Sequence, residues 1–283
     1  MKRIGFIDYY LSEWHANNYP TWMRKIIDQL GLDIELSYAY AELDVSPLDS
    51  VTTDEWCERF GMQKCITIDE LCEKSDYIVI LAPSNPETHL RLATAALKYG
   101  KRTYIDKTFA PDYKTAEAIF DVAREHGAPF FSTSALRYAS ELDAIEVKNE
   151  FTTSGGGSLF DEYIIHQCEM LVKKLGTGAT SVMAENGADG SVDLTVSYPD
   201  SRRARMLFAK DRGFSAAATF TNDLTSLMPI TSSFFDKLMS DILAFFESGV
   251  LPFDPEETLE VMKIREAAIK ACGSYGTAIS TKN

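Results

Sequence analysis

A chain of 283 residues with 45% apolar side chains is long enough to fill two cores of ordinary domain size. Its formal net charge of −14 argues against nucleic-acid partners, because releasing counterions from phosphates takes a surplus of Lys and Arg. No run is long enough to span a bilayer; the longest clean apolar run, Ile78-Val79-Ile80-Leu81-Ala82, suits a buried strand. From the N-terminus, short apolar runs alternate with helical patterns. Residues 4–8, 33–38, 76–81 and 103–106 read as strands, and 20–30, 86–99 and 112–126 as helices. Such alternation predicts a parallel sheet with right-handed crossovers. The helix from Pro86 is well punctuated: Ser84 or Asn85 can cap it, Pro86 suits its first turn, and Gly100 ends it.

After about residue 130 the rhythm changes. Residues 137–149 look helical, 152–158 form a Gly/Ser/Thr loop, and 162–175 make a second helix. Residues 191–198 and 204–209 alternate as antiparallel strands across a Pro199-Asp200-Ser201 turn. Helices at 234–247 and 255–271 follow. The fold class is therefore α/β: a Rossmann-type, doubly wound parallel sheet over residues 1–130, then a shortened α+β domain with an open, mostly antiparallel sheet over 131–283.

The five cysteines, Cys57, Cys65, Cys72, Cys168 and Cys272, form no C-x-x-C pair, and the four histidines are scattered. Reduced, mostly buried thiols and no metal site are expected. The N-terminus enters a strand pattern without a secretory n-region or h-region, which points to a cytoplasmic protein.

The segment Ala82-Pro83-Ser84-Asn85-Pro86-Glu87-Thr88-His89 is distinctive, as are Ala95-Ala96-Leu97-Lys98-Tyr99-Gly100-Lys101 and Asp106-Lys107-Thr108 after it. Together they resemble the Gfo/Idh/MocA family of glucose–fructose oxidoreductases and inositol dehydrogenases, whose pattern runs roughly T-P-N-x-x-H, A-L-x-x-G-K and E-K-P. The likeness continues through Gly155-Gly156-Gly157-Ser158-Leu159-Phe160 into a helix carrying His166. It implies an oxidoreductase that uses NAD or NADP on a hydroxyl or carbonyl of a sugar, cyclitol or related polyol. By the same resemblance Lys107 is the active-site lysine, with Asp106 in place of Glu and Thr108 in place of Pro. Asp8, Tyr9, Tyr10, Pro83, Asn85, His89 and Asp106 fall at cofactor-facing positions, and Lys107, Arg137, Glu162 and His166 at substrate-facing ones. Lys107, His166 and Glu162 would carry the chemistry, with Lys107 and His166 facing one cleft. The resemblance also implies a homo-oligomer built through the second domain's sheet, with residues 191–198 and 204–209 contributing.

Read without the family, the helix at 162–175 has two faces. Glu162, His166, Glu169 and Lys173 share a narrow polar stripe, and Ile164, Cys168, Leu171 and Leu175 an apolar one nearly opposite. An amphipathic helix with its polar face in water accounts for this pattern. An acid/base site accounts for it too, since an imidazole can take a hydroxyl proton and a nearby carboxylate supports its charged form. The family motif places an acid four residues before the histidine and another three after it; Glu162 and Glu169 stand there, and Asp161 competes with Glu162.

The dinucleotide fingerprint departs from the family. Where G-x-G-x-x-G follows the first strand, this chain reads Ile7-Asp8-Tyr9-Tyr10-Leu11-Ser12-Glu13-Trp14-His15. Glycines there let the backbone approach a pyrophosphate at the positive end of a helix. Tyrosines would crowd it, and Asp8 would repel it by about 1 kcal/mol in water or about 4 at an effective dielectric of 20. Poor binding of ordinary nicotinamide dinucleotides is expected. Three functions stay open: a polyol dehydrogenase with an altered nicotinamide site, a ligand-binding or regulatory protein on the same scaffold, and a cofactor-free lyase or isomerase using Lys107 and His166 for proton transfer.

Overall fold

The structure, a computed structural model, describes residues 1–187, 189–218 and 227–282. It divides into two compact units, Met1–Thr133 with Phe235–Phe253, and Ser134–Phe234 with Asp254–Asn283.

In the first unit, strands β1 (Lys2–Asp8), β2 (Ile34–Ala41), β3 (Gln63–Lys64), β4 (Tyr77–Ile80), β5 (Arg102–Asp106) and β6 (Phe130–Thr133) pair in parallel in the order β3-β2-β1-β4-β5-β6. Helices α1 (Trp14–Leu30), α2 (Thr53–Phe60), α3 (Ile68–Lys74), α4 (His89–Leu97) and α5 (Tyr113–His126) make the crossovers. This is the expected doubly wound sheet. The all-buried β4 follows from its run of β-branched and aromatic residues, which suits a strand covered on both faces. Strand order reverses between β1 and β4, where open α/β sheets place their ligands.

Helix α1 begins at Trp14, six residues before the expected start, and Pro20 lies inside it. The start is fixed by a side chain and not by Pro20: Glu13 is the N-cap and accepts from the amides of His15 and Ala16. The helix at α5 starts at its Asp112 cap and stops at Gly127, whose φ of 58° is left-handed.

A late segment returns to this unit. Helix α8 (Phe234–Ser248) buries Leu238, Met239, Ile242, Leu243, Phe245 and Phe246. Phe246 stacks on Tyr77 at 4.9 Å, and Lys25 pairs with Asp236 at 2.7 Å. A single cut after residue 130 does not describe the chain: residues 235–253 supply a helix that the first unit's core needs.

The second unit holds a seven-stranded sheet. Its strands are β7 (Glu150–Gly155), β8 (Ser181–Asn186), β9 (Val192–Ser197), β10 (Arg203–Phe208), β11 (Ser215–Ala217), β12 (Met228–Pro229) and β13 (Ala278–Ser280), in the order β12-β11-β7-β10-β9-β8-β13. Among the described residues only β7 and β10 pair in parallel, so the sheet is mostly antiparallel as expected. Helices α7 (Phe160–Leu175) and α9 (Pro255–Cys272) pack on it and on each other.

Two expectations fail here. Residues 137–149 hold only a short 3-10 turn, Ala135–Tyr138, and the five-residue helix α6 (Ser140–Ala144). The Gly/Ser/Thr stretch read as a loop is largely strand β7, buried from Phe151 to Gly155 between β10 and β11. Small residues there serve close packing rather than turning. A Cβ on Gly156 would sit 1.6 Å from the carbonyl oxygen of Ala209, and one on Gly155 would sit 2.3 Å from the Phe214 ring.

Candidate functional site

The carboxyl edge of the first unit's sheet gathers polar groups that are almost entirely enclosed. Asp8 ends β1 and Asp106 ends β5; they are 1% and 0% exposed. Asp8 Oδ1 accepts from its neighbour Tyr9 N at 2.7 Å and from Ala82 N at 3.1 Å, just beyond β4. One carboxyl therefore clips the two strands on either side of the order reversal. Its other oxygen, Oδ2, is buried without a partner. Burial, then nearby Glu13, holds the Asp8 carboxyl well above the usual carboxylate range. The full negative charge expected of Asp8 is thus disfavoured, and the carboxyl is turned into the structure.

The turn that follows is filled by its own side chains. Tyr10, Leu11, Ser12 and Glu13 are all buried, and Tyr9 is half-buried. Ser12 adopts φ 65°, the left-handed conformation that favours glycine. Its hydroxyl donates to Asp49 at 2.7 Å and accepts from Asn17, which holds the turn in place. Glu13 then spreads its two carboxylate oxygens over the first amides of α1, His15 N at 2.7 Å and Ala16 N. Burial raises its pKa, while His15 and these amides pull the other way.

Beside Glu13, His15 Nδ1 lies 2.5 Å from Asp106 Oδ2. The two atoms are not aligned as a hydrogen bond, so the contact is a close charge–dipole or ion-pair approach. The other Asp106 oxygen accepts from the hydroxyls of Tyr19 and Tyr104, both at 3.0 Å. Burial alone would raise the Asp106 pKa, but His15, Lys107 and Tyr104 outweigh it and bring it below the ordinary value. Both tyrosines are pushed well up by burial and by this carboxylate, so their hydroxyls stay protonated donors.

Lys107 follows Asp106 directly, half-buried, at the carboxyl end of β5 where its motif leads one to look. The Lys107–Thr108 peptide is cis. Thr108 is buried, with its hydroxyl unpartnered. His89 is fully enclosed; its Nδ1 lies 2.9 Å from the Phe109 carbonyl and its Nε2 against the Leu81 carbonyl. Burial keeps its pKa below the usual histidine range. Its work is to tie the loop after β5 to the end of β4, and it has no ring nitrogen left for a ligand. Pro83 is buried and Asn85 half-buried, with the Asn85 amide donating to Glu87 at 3.1 Å.

In the second unit, His166 is half-buried on α7. Its Nδ1 lies 2.6 Å from Ser134 Oγ, and its ring meets Tyr163 and Phe214 at 5.9 and 5.4 Å. Ser134 Oγ also accepts from Leu136 N at 3.2 Å, so its position is set by the backbone of the 3-10 turn. Glu162 lies half-buried one turn earlier and makes no hydrogen bond or ion pair among the described residues. Glu169 and Arg137 are buried together: Arg137 reaches Glu169 at 3.3 Å and also Glu257, while Ser134 N donates to Glu169 at 3.1 Å. The polar stripe of α7 is therefore not a solvated face. Glu169 and Arg137 brace the segment that carries Ser134, and Lys173 pairs with Asp143 at 2.6 Å.

Sequence reasoning placed Glu13 and His15 in the turn after β1 without finding their partners, and missed Tyr19, Tyr104 and Ser134. An available signal was Ser12-Glu13 ahead of Ala16, Tyr19, Met23 and Ile27, a buried helical face that starts before Pro20. Among the described residues no cluster of His, Cys, Asp and Glu could hold a metal ion, and the four cysteines Cys57, Cys65, Cys72 and Cys168 are buried free thiols.

The turn after β1 leaves no room for the dinucleotide phosphates that such a fold implies. A pyrophosphate in the family's place needs the first amides of α1, and a carboxylate already accepts from them. The nearest orphaned buried atom, Asp8 Oδ2, belongs to a carboxyl whose Oδ1 already accepts two backbone amides, and it offers phosphate oxygens no backbone N–H. The residues of this turn do not fit that group.

Residues 45–134 match the model of an oxidoreductase family with an NAD-binding Rossmann fold. The match begins downstream of β1, α1 and β2, and so excludes the turn just described. Among solved structures, the chain is similar to apo scyllo-inositol dehydrogenase from Lactobacillus casei, with 15% identity, 100% and 99% of the two chains covered and a TM-score of 0.75. A putative myo-inositol dehydrogenase from Sinorhizobium meliloti 1021 shares 15% identity over 99% of this chain and 100% of its own, with a TM-score of 0.73. Biliverdin reductase from Synechocystis sp. PCC 6803, solved with biliverdin and NADP+, shares 15% identity over 96% and 99%, with a TM-score of 0.69. At these identities the likeness is one of fold. No curated protein sequence matches.

Proposed function

We propose that this chain, which carries the Rossmann fold of the Gfo/Idh/MocA oxidoreductase family over residues 45–134, interconverts a hydroxyl and a carbonyl on a sugar, a cyclitol or a related small polyol. The observation that carries the reading is Lys107 at the carboxyl end of β5, inside the matched segment and next to a carboxylate that stays charged. The family implies NAD or NADP as electron carrier, although the turn after β1 does not receive a pyrophosphate in the family's way.

The chain's own residues then handle protons and charge. The Lys107 ammonium donates a hydrogen bond to the reacting oxygen and stabilises the alkoxide character that develops there. His166 takes the hydroxyl proton or returns it, with its ring held through Nδ1 by Ser134. Such positioned groups contribute about 100-fold or more each.

A second reading is a lyase or isomerase that moves protons on the same class of substrate with no cofactor. The specific observation in its favour is Glu13, whose carboxylate sits where a dinucleotide's pyrophosphate would go. One experiment separates the two. The protein is incubated with a panel of inositols and aldoses, with NAD+ or NADP+ and read by reduced-nicotinamide absorbance, and without cofactor in D2O and read by NMR. Polyol-dependent reduction supports the oxidoreductase; deuterium incorporation at a substrate carbon without cofactor supports the second reading. Neither signal across the panel would overturn both and leave a ligand-binding protein.

A homo-oligomer through the second unit's sheet belongs to the same proposal. Among the described residues no helix is long and apolar enough to cross a membrane.

A further inference from the structure

The turn after β1 disagrees with the family in a way that has a single residue at its centre. A helix N-terminus attracts anions because its first amides lack intrahelical acceptors and its dipole is positive there. In α1, Glu13 supplies the anion from within the chain. Both of its carboxylate oxygens are used, on His15 N and Ala16 N, and the side chain is only 7% exposed. The backbone that would have to be glycine for close approach is instead Ser12 at φ 65°, pinned through Asp49 and Asn17. On the other side, Asp8 spans the β1–β4 reversal through Oδ1 and leaves Oδ2 buried without a partner.

From this geometry we infer that Glu13 is an internal competitor for the dinucleotide's phosphates and closes the anion seat of the Rossmann unit. A dinucleotide or any phosphate compound enters that seat only by expelling the Glu13 carboxylate from two amides. Charge-assisted hydrogen bonds of this kind are among the stronger ones in a protein, so the competition weakens phosphate binding by about tenfold or more. Ligands carrying no phosphate escape the competition. The inference concerns the seat alone and goes beyond the proposed function.

The test uses the full chain with Glu13 changed in two ways. Glu13→Ala removes the carboxylate, and Glu13→Ser removes it while keeping a capping hydroxyl, so that the start of α1 survives. Far-ultraviolet circular dichroism checks that both fold. Inorganic pyrophosphate and NADH are then titrated separately into wild type and each variant by calorimetry. The expected result is tighter pyrophosphate binding, by about tenfold or more, in any folded variant relative to wild type. Equal pyrophosphate affinity in wild type and the folded variants overturns the inference. NADH reports on the proposed function: if pyrophosphate tightens and NADH does not, the seat is closed as inferred and the nicotinamide assignment is what fails.

Discussion

Two exits from one sheet behave in opposite ways. After β5 the chain runs Asp106-Lys107-Thr108 through a motif that the family match includes, and His89 anchors the loop beyond it on two backbone carbonyls. After β1 the chain runs through a turn that lies outside the match, packed with its own aromatic and acidic side chains and closed by Glu13. Both exits lie at the carboxyl edge where such sheets bind ligands. The difference teaches that two exits at one sheet edge can be filled independently: one presents a half-buried lysine, the other closes on its own carboxylates.

The largest effect should appear at the kept exit. Lys107→Ala, and His166→Ala in the second unit, are each expected to lower turnover on the true substrate by about 100-fold or more. Steady-state kinetics checks this; full activity in both variants would remove these residues from the chemistry. The anchoring of the two exits should differ as well. His89→Ala leaves the one carbonyl, of Leu81 or Phe109, that the neutral ring donates to buried without its donor and opens space in the core, and should cost about 2 kcal/mol or more in urea unfolding. Glu13→Ala removes one helix cap and should cost about 1 kcal/mol. The reverse order would mean that the turn after β1, and not the loop after β5, holds this edge together.

Asp8 provides a finer probe. Its folded-state pKa is raised, so the stability it contributes is present below the unfolded value and is lost as pH rises through the folded one. Asp8→Asn keeps an oxygen for Tyr9 N and Ala82 N and carries no such penalty. The variant should be more stable than wild type at about pH 8, with the gap closing as pH falls towards about 4. A gap that widens on acidification would show that the carboxylate form is the one the fold prefers. The smallest expected effect is assembly: sedimentation at micromolar protein should show a species larger than monomer, reduced by charged substitutions at the half-buried Met183 and Thr195 of β8 and β9. Monomer alone would count against it.

Much of the frame was legible because it rests on local rules. The run Ile78–Leu81 marks a strand by composition, and the helical pattern over 112–126 falls on α5, between its Asp112 cap and Gly127. The turn residues between β9 and β10 mark their hairpin in the same way. Strand β7 escaped because its Thr-Thr-Ser-Gly sequence has loop chemistry, and only its neighbours β10 and β11 make it a strand. Helix α1 was shortened because Pro20 looks like a beginning, whereas a buried glutamate seven residues earlier supplies the real cap. The places of Lys107 at the carboxyl end of β5 and of His166 on a helix were legible from motifs. Glu13, His15, Tyr19 and Tyr104 were not, because nothing in their spacing shows that they converge with Asp8 and Asp106 at one buried edge. Glu169 illustrates the converse: its helical phase with His166 reads as solvent-facing, yet Arg137, 32 positions away, draws it inside.

The central claim is that this Rossmann unit has kept its lysine and closed its phosphate seat. Calorimetric titration of the wild-type protein with NADH and NADPH tests it most directly. The account predicts dissociation constants well above the micromolar range for both nucleotides, because the dinucleotide must displace Glu13 from the amides of α1. Low-micromolar binding of either nucleotide to the unmodified chain would contradict it.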